Sequence, residues 1–505
     1  MGDESYWMQT AEQLDYPVLT EDRQVDVAVI GGGLAGLCAA WEVARTGRTV
    51  AVVEADRIGA ATSGHTTAKL TALHTLIYAE LTRQRGAQTA RHYAQAQSDA
   101  LEHVERIIDE LGLDCEFERR PAYTYTSDVR QADKYREETE AAADAGLAAD
   151  FVTPEGLPFP TVAAVRLQEQ AQFHPRRFLM GLAADLTARD GLIFEKSRVV
   201  AAESGPPCRL TTAEGVGLTA DAVVVATGWP VFDRPELLLR LKPRRELVIA
   251  GPIDADADPG GMFISPDGGT RSVRTAPFDD GRRLLIVTGE QYRGGSGGID
   301  QRYRVLSRWA DRFGLTDVVY RWSAQDYSTS DGVPFIGRYP GRDRFWLATG
   351  FGGWGMTNSV AAGLLLAAEV TEGKRPEWGA AFEPNRFHPA GEVRSIGGIV
   401  GSTARSFLTR PEGAPTAGSP GELRPGQAAV LRIAGEDCAV YRDEQGALHA
   451  VGARCSHRGC HVGFNDVELA WECPCHGSRF DIFGAVLQGP ALRPLARKSV
   501  TDDSS

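Results

Sequence analysis

Residues Val25–Gly59 read VDVAVIGGGLAGLCAAWEVARTGRTVAVVEADRIG. A short apolar run stops at three glycines, an alanine- and leucine-rich stretch follows, and a second apolar run ends on the acid Glu54. That order predicts strand, glycine turn, helix and strand, one βαβ unit. Gly31, Gly33 and Gly36 have G-x-G-x-x-G spacing just where it carries meaning, after a strand and at the opening of a helix. Glycine there lets the main chain approach a pyrophosphate at the helix amino-terminus, and an acid ending the second strand takes a ribose hydroxyl. A dinucleotide site follows.

Downstream, GLTADAVVVATGW and DRFWLATGFGGWGMTNSVAAGLLLAAEV read as further strands running into glycine turns, the latter followed by a helix. GFGGWG (Gly350–Gly355) repeats the glycine spacing, but the chain continues into EGKRPEWGAAFEPNRF rather than a strand. A second nicotinamide-type unit is therefore rejected, and the turn better serves to aim N–H groups at an electron-rich flavin edge. RELVIAGP and RRLLIVTGE predict a second sheet, and Ala87–Leu113 predicts an amphipathic helix with Val104, Ile107, Ile108 and Leu111 on its apolar face.

DVAVIGGGLAGLCAAWEVARTGRTVAVVEADRIGAATSGHTTAKLT, DAVVVATGW and TGFGGWGMTNSVAAGLLLA together resemble the D-amino-acid oxidase and glycine oxidase family of FAD-dependent amine oxidoreductases over roughly the first 385 residues. The resemblance implies FAD, with Gly31, Gly33, Gly36 and Glu54 on its ADP half and Arg57, Thr62 and Ser63 along the pyrophosphate and ribityl chain. It also implies that Thr227 and Gly228 close over the adenosine side and that Gly352, Gly353, Gly355 and Met356 face the isoalloxazine. Such folds hold substrate between flavin and second sheet, where Arg245, Trp322, Gln325, Asp326 and Asp331 are candidates. Lys69 and His65, in GHTTAKLT, are further catalytic candidates. Related dimethylglycine-type dehydrogenases carry a covalently attached flavin on a histidine in this region, so His65 either bonds FAD or hydrogen-bonds near it.

Near the other end stand CSHRGCH (Cys455–His461) and CPCHGS (Cys473–Ser478). The spacing is Cys455-x-His457, fifteen residues, then Cys473-x-x-His476. Zinc sites tend to pair like ligands. Here each pair joins one thiolate to one imidazole, the pattern of a Rieske [2Fe–2S] cluster with two cysteines on one iron and two histidines on the other. The segments resemble the Rieske proteins of cytochrome bc complexes over residue 420 onward, which implies a Cys460–Cys475 disulfide. It also implies a cluster-sulfide hydrogen bond from Ser478 and a covering proline loop in GPALRPL. Phe480 departs from the tyrosine of high-potential members, so a lower potential is expected.

At 505 residues the chain exceeds one ordinary core. The reading is α/β plus all-β: a Rossmann-type FAD domain with an inserted antiparallel substrate sheet (1–388), a Pro-, Gly- and Ser-rich linker (389–418) with a short helix near Thr403–Leu408, and a small β Rieske domain (419–505). A formal net charge of −13 argues against nucleic acid and against a polybasic membrane patch. MGDESYWMQT has no signal-peptide pattern and Val360–Val370 is too short to span a bilayer, so a cytoplasmic location is expected.

The layout resembles bacterial Rieske-containing flavoproteins, TSGHTTAKLTALH and WSAQDY in particular. It implies dehydrogenation of an amine-like substrate at the flavin. Electrons then leave singly through the cluster to an external partner, ferredoxin-like or quinone. An oxygen-using amine oxidase with a structural cluster, a non-catalytic electron-transfer or redox-sensing protein, and a ferredoxin-fed reductase or desaturase are the alternatives.

Overall fold

The computed structural model describes residues 4–232, 234–408 and 418–504. The opening unit folds as its pattern predicts: β1 (Arg23–Ile30), α1 (Leu34–Arg45) and β2 (Val50–Val53). Further along come β3 (Gly217–Gly228), β4 (Leu241–Ile253), β5 (Arg283–Tyr292), β6 (Tyr320–Thr329), β7 (Phe345–Thr349), α2 (Gly355–Glu372) and α3 (Pro389–Leu408).

Four sheets organise the described residues. In the first, β7, β3, β1, β2 and Leu192–Phe194 run parallel, with Phe335–Arg338 antiparallel at the β7 edge. Parallel strands buried on both faces need continuous apolar runs, which the valine- and alanine-rich β1, β2 and β3 supply. Helix α1 is buried along almost its whole length, as a central helix must be, and shares one core with α2.

The second sheet has nine strands and holds β6, β4 and β5 consecutively at one end, with Lys69–Leu70 at the other. It is the second sheet expected above, antiparallel except where Met262–Ile264 pair parallel with Ala122–Thr124. The long amphipathic helix spans Ala87–Leu111, burying Val104 and Ile107 as its periodicity predicts. Beyond residue 418, two small antiparallel sheets form the β domain. Loop 453–462 joins the two sheets, and loop 473–478 connects two strands of the second.

The stretch expected as a linker differs in character. Residues 389–408 form a 20-residue helix, although PAGEVRSIGGIVGSTARSFL contains four glycines. Each glycine costs about 1 kcal/mol relative to alanine in a helix. Tertiary contacts outweigh that cost: fully buried Glu392 pairs with Arg240 at 2.8 Å, and Ser406 accepts a bond from Arg293 at 2.9 Å. The rest of that stretch, residues 409–417, lies outside the described residues. Val360–Val370 belongs to α2, and no helix among the described residues is long and apolar enough to cross a membrane.

Candidate active site and cluster centre

Between the two large sheets lies a cavity of about 450 Å³. Its floor is the glycine turn after β1. Gly31 has φ +108°, and a Cβ on Gly36 would fall 1.9 Å from the Gly31 carbonyl oxygen, so only glycine closes that turn. At the end of β2, Glu54 accepts from the N–H groups of Gly32 (2.7 Å) and Asp56 (2.9 Å), and burial raises its carboxyl above the ordinary range. Ser63 Oγ accepts from Leu34 N–H at the start of α1 (2.9 Å), and Thr62 donates to the Gln325 carbonyl (2.7 Å).

Gly31, Gly33, Glu54, Arg57, Thr62, Ser63, Thr227, Gly228, Gly353, Gly355 and Met356 all line this cavity; Gly36 and Gly352 do not. A glycine-floored trough at a helix amino-terminus, flanked by an acid on the next strand, has the space and the donors that a dinucleotide requires.

The opposite wall comes from the second sheet. On β4 the lining residues are Arg244, Glu246 and Val248, with Arg244 and Glu246 paired at 3.2 Å. On β6, Asp326 accepts from the N–H of Gly353 and from its neighbour Tyr327 (2.7 Å), fastening the second glycine turn to the sheet. Burial raises the Asp326 carboxyl, with Arg244 opposing. Lys69 stands behind this wall. It donates to Ser272, whose cross-strand partner Thr288 lines the cavity. Burial first, then the Arg274 guanidinium, push the Lys69 ammonium down to about 7, with Glu246 opposing. His65 lines the cavity with Nδ1 2.9 Å from the Ala61 carbonyl. A carbonyl only accepts, so Nδ1 carries the proton and Nε2 keeps its lone pair.

Four residues expected against the substrate are placed elsewhere. Arg245 is 2% exposed and binds carboxylates of the cluster domain, Glu472 and Glu468, each at 2.6 Å. Side chains alternate along a strand, so Arg245 faces away from the cavity that Arg244 and Glu246 line. Gln325 likewise donates to the Gly477 carbonyl (2.8 Å) and Tyr327 Oη (2.7 Å). Trp322 is buried off the cavity wall, its Nε1–H donating to the His65 carbonyl at 2.8 Å. Asp331 is also not on the wall; Arg386 and Arg85 surround it in a buried ion cluster.

The cluster loops bring two thiols and two imidazoles together. Cys455 and Cys473 are buried, outside any disulfide and within hydrogen-bonding reach of each other, while the His457 and His476 rings meet edge-on at 4.9 Å. Two sulfurs and two imidazoles converging from two loops are the donors that a Rieske cluster takes. Cys460 and Cys475 are joined by a disulfide with S–S 2.06 Å. Fully buried Ser478 accepts from Ala491 N–H (3.0 Å), and Phe480 is fully buried.

The two sites adjoin. The His476 ring lies 4.9 Å from that of Trp229, and Trp229 lines the dinucleotide cavity, as do Arg479, Leu487, Gln488, Gly489 and Leu492 of the cluster domain. Gly477 has φ +81°, and a Cβ there would fall 2.6 Å from Gln325 Nε2, so this contact requires glycine. Arg293 reaches across to the Pro474 carbonyl at 2.9 Å. Sequence reading missed Trp229, Glu246, Glu468 and Glu472. Strand alternation on β4 signals Glu246, but no local pattern signals the other three.

Residues 26–369 match the family model described as FAD dependent oxidoreductase (DAO), and residues 415–499 match that of the Rieske [2Fe-2S] domain. The first domain binds FAD and the second a [2Fe–2S] cluster. The protein YhfW of Bacillus subtilis (strain 168), named for a Rieske 2Fe-2S iron-sulfur centre, is 32% identical over 496 residues, 97% of each chain. The gamma-glutamylputrescine oxidoreductase of Escherichia coli (strain K12) is 25% identical over 409 residues, 78% of this chain and 94% of that protein. The glycine oxidase structure from Geobacillus kaustophilus superposes with a TM-score of 0.60 at 20% identity, over 72% of this chain and 99% of that one, a likeness of fold.

Proposed function

This chain belongs to the FAD-dependent oxidoreductase family and carries a Rieske domain, and from that we propose that it dehydrogenates an amine or amino-acid-like substrate and passes the electrons singly through the cluster to an external acceptor. The observation that carries this reading is the 4.9 Å contact between His476, a cluster ligand, and Trp229, a wall of the flavin cavity. When bound, FAD takes a hydride from the carbon beside an amine nitrogen, and the [2Fe–2S] cluster carries one electron at a time.

The chain's own residues divide the remaining work. Glu246 offers a carboxylate to a cationic amine at the cavity wall. Lys69, neutral above about pH 7 and held by Ser272 behind the cavity wall, accepts the proton that the nitrogen gives up. Asp326 is a positioning residue that holds Gly353 against the flavin edge. Gln325 binds the flavin loop through Thr62 and the cluster loop through Gly477, keeping both in register. The flavin unit extends over residues 1–388 and the cluster unit over 419–505. Among the described residues, helices and not a strand follow α2 before residue 409, which supports an organic electron source over a nicotinamide.

The test is anaerobic mixing of the holoprotein with a panel of amines and amino acids. The expected result is bleaching of the flavin absorbance, followed by the electron paramagnetic resonance signal of a reduced Rieske cluster. Stoichiometric peroxide under oxygen with the cluster left oxidised would overturn the reading.

A further inference from the structure

We propose that the outward face of the cluster centre is a docking surface for an acidic one-electron carrier protein; this rests on the electron-exit reading above. The two histidine ligands face different surroundings. His476 is 7% exposed and covered by Trp229, whereas His457 is half-exposed. An electron that enters on the flavin side therefore has its shortest way out at His457.

Segments 454–462, 473–480 and 487–498 around the cluster contain no aspartate or glutamate. They do carry Arg454, Arg458 and Arg493, all exposed. Ser456 Oγ donates to the Arg493 carbonyl, which brings the 487–498 segment beside the first ligand loop. Arg454 donates to the Gly459 carbonyl at 3.2 Å, keeping its guanidinium on the same rim. Helix α3 adds exposed Arg405 and Phe407, which is 37% exposed and reaches within 3.7 Å of the Cβ position of Gly459. A carboxylate beside the rim, Asp437, is half-buried and shared between His461 (3.0 Å) and Arg454 (3.6 Å).

This basic rim belongs to a chain of formal net charge −13. An acidic partner is repelled by the bulk of the molecule and drawn to the rim, which is how charge sets orientation and on-rate. Arginine with an exposed aromatic is also the composition of protein interfaces, and a neutral quinone would gain nothing from three guanidiniums. Each encounter oxidises the reduced cluster by one electron and reduces the carrier's metal by one. Two encounters balance the two electrons of one amine oxidised to imine, and the two protons released in that oxidation leave from the flavin site.

The test uses the full holoprotein, reduced stoichiometrically with dithionite and freed of excess. It is mixed in a stopped-flow cell with one of two oxidised, high-potential acceptors of opposite charge, an acidic plastocyanin or a basic cytochrome c. Plastocyanin reduction should be the faster at low ionic strength and should slow as salt is added. The double variant Arg454→Glu, Arg493→Glu should lower that rate about tenfold or more. Calorimetric binding of redox-inert, cadmium-substituted plastocyanin should weaken in parallel, while Arg130→Glu on the flavin half changes neither. Flavin and cluster spectra matching those of the parent protein establish that the variants are folded. Plastocyanin reduction indifferent to salt and to the double variant, or slower than that of cytochrome c, would overturn the proposal. The dithionite step bypasses the amine, so failure of amine oxidation would leave this result standing.

Discussion

The imidazole of His476 and the indole of Trp229 come from different domains, and their ring centroids lie 4.9 Å apart. One ring belongs to a proposed cluster ligand and the other to the wall of the flavin cavity, so this pair is one of the contacts through which the two sites adjoin. Trp229→Leu should leave amine-driven flavin bleaching intact and slow the subsequent appearance of the reduced-cluster signal severalfold, with Trp229→Phe recovering most of the loss. Anaerobic stopped-flow absorbance, followed by freeze-quenched electron paramagnetic resonance, separates the two phases. Equal slowing of both phases would mean that Trp229 serves flavin binding alone.

Arg245 ties the domains together. Arg245→Met would leave Glu472 and Glu468 with Arg479 as their remaining cation, and breaking a buried pair costs about 3–5 kcal/mol as an upper bound for this site. A lowered unfolding midpoint, with faster proteolysis between the domains, is the expected outcome.

The same clamp should respond to acid. Burial alone would raise the Glu468 carboxyl, but Arg245 and Arg479 outweigh it and hold the group at about 2, below the ordinary 4.5. A depressed acid contributes stability that is complete above its unfolded value and fades as pH falls through the folded one. Domain docking should therefore weaken between about pH 4.5 and about 2, and Glu468→Gln should remove that dependence. Denaturant midpoints measured across this range give the answer.

Lys69 acts as a base only when neutral. Its ammonium is pushed down to about 7, so kcat/KM for amine-driven bleaching should rise through about pH 7 and then level off. Lys69→Met should lower the plateau by about 10²–10⁴-fold, the usual contribution of a general base. Unaltered kcat/KM and an unaltered profile in the variant would assign the proton to another group.

Phe480 is fully buried in the cluster domain. Phe480→Tyr should add one hydrogen bond near the cluster and raise its potential. A bond worth about 1 kcal/mol corresponds to about 40 mV for a one-electron couple. Spectroelectrochemical titration of the two proteins measures the difference.

What could be read without coordinates was local. Gly31, Gly33, Gly36 and Glu54 lie within one βαβ unit, and Cys455, His457, Cys473 and His476 lie on two neighbouring loops, so spacing alone carries their chemistry. Arg245 shows where such reading stops. Its strand was recognisable, but which of two adjacent arginines faces the flavin depends on register, and a shift of one residue exchanges the faces. Glu468 and Glu472 meet Arg245 across more than two hundred residues, a relationship that no window on the chain contains. The end of helix α3 was legible as the short helix near Thr403–Leu408, but its glycine-bearing first part was not, because its stability comes from Arg240 and Arg293 rather than from propensity.

Helix α3 also decides how the molecule spends its time. It is pinned near one end by Arg240 and near the other by Arg293, with Ser406 accepting from His461 in the cluster domain. Twenty helical residues span about 30 Å, so the helix is a strut and not a tether. With His476 of the cluster domain already seated on Trp229, the internal hand-off involves no diffusive search and should be indifferent to solvent viscosity. Only the arrival and departure of molecules from outside should slow when glycerol or sucrose thickens the medium.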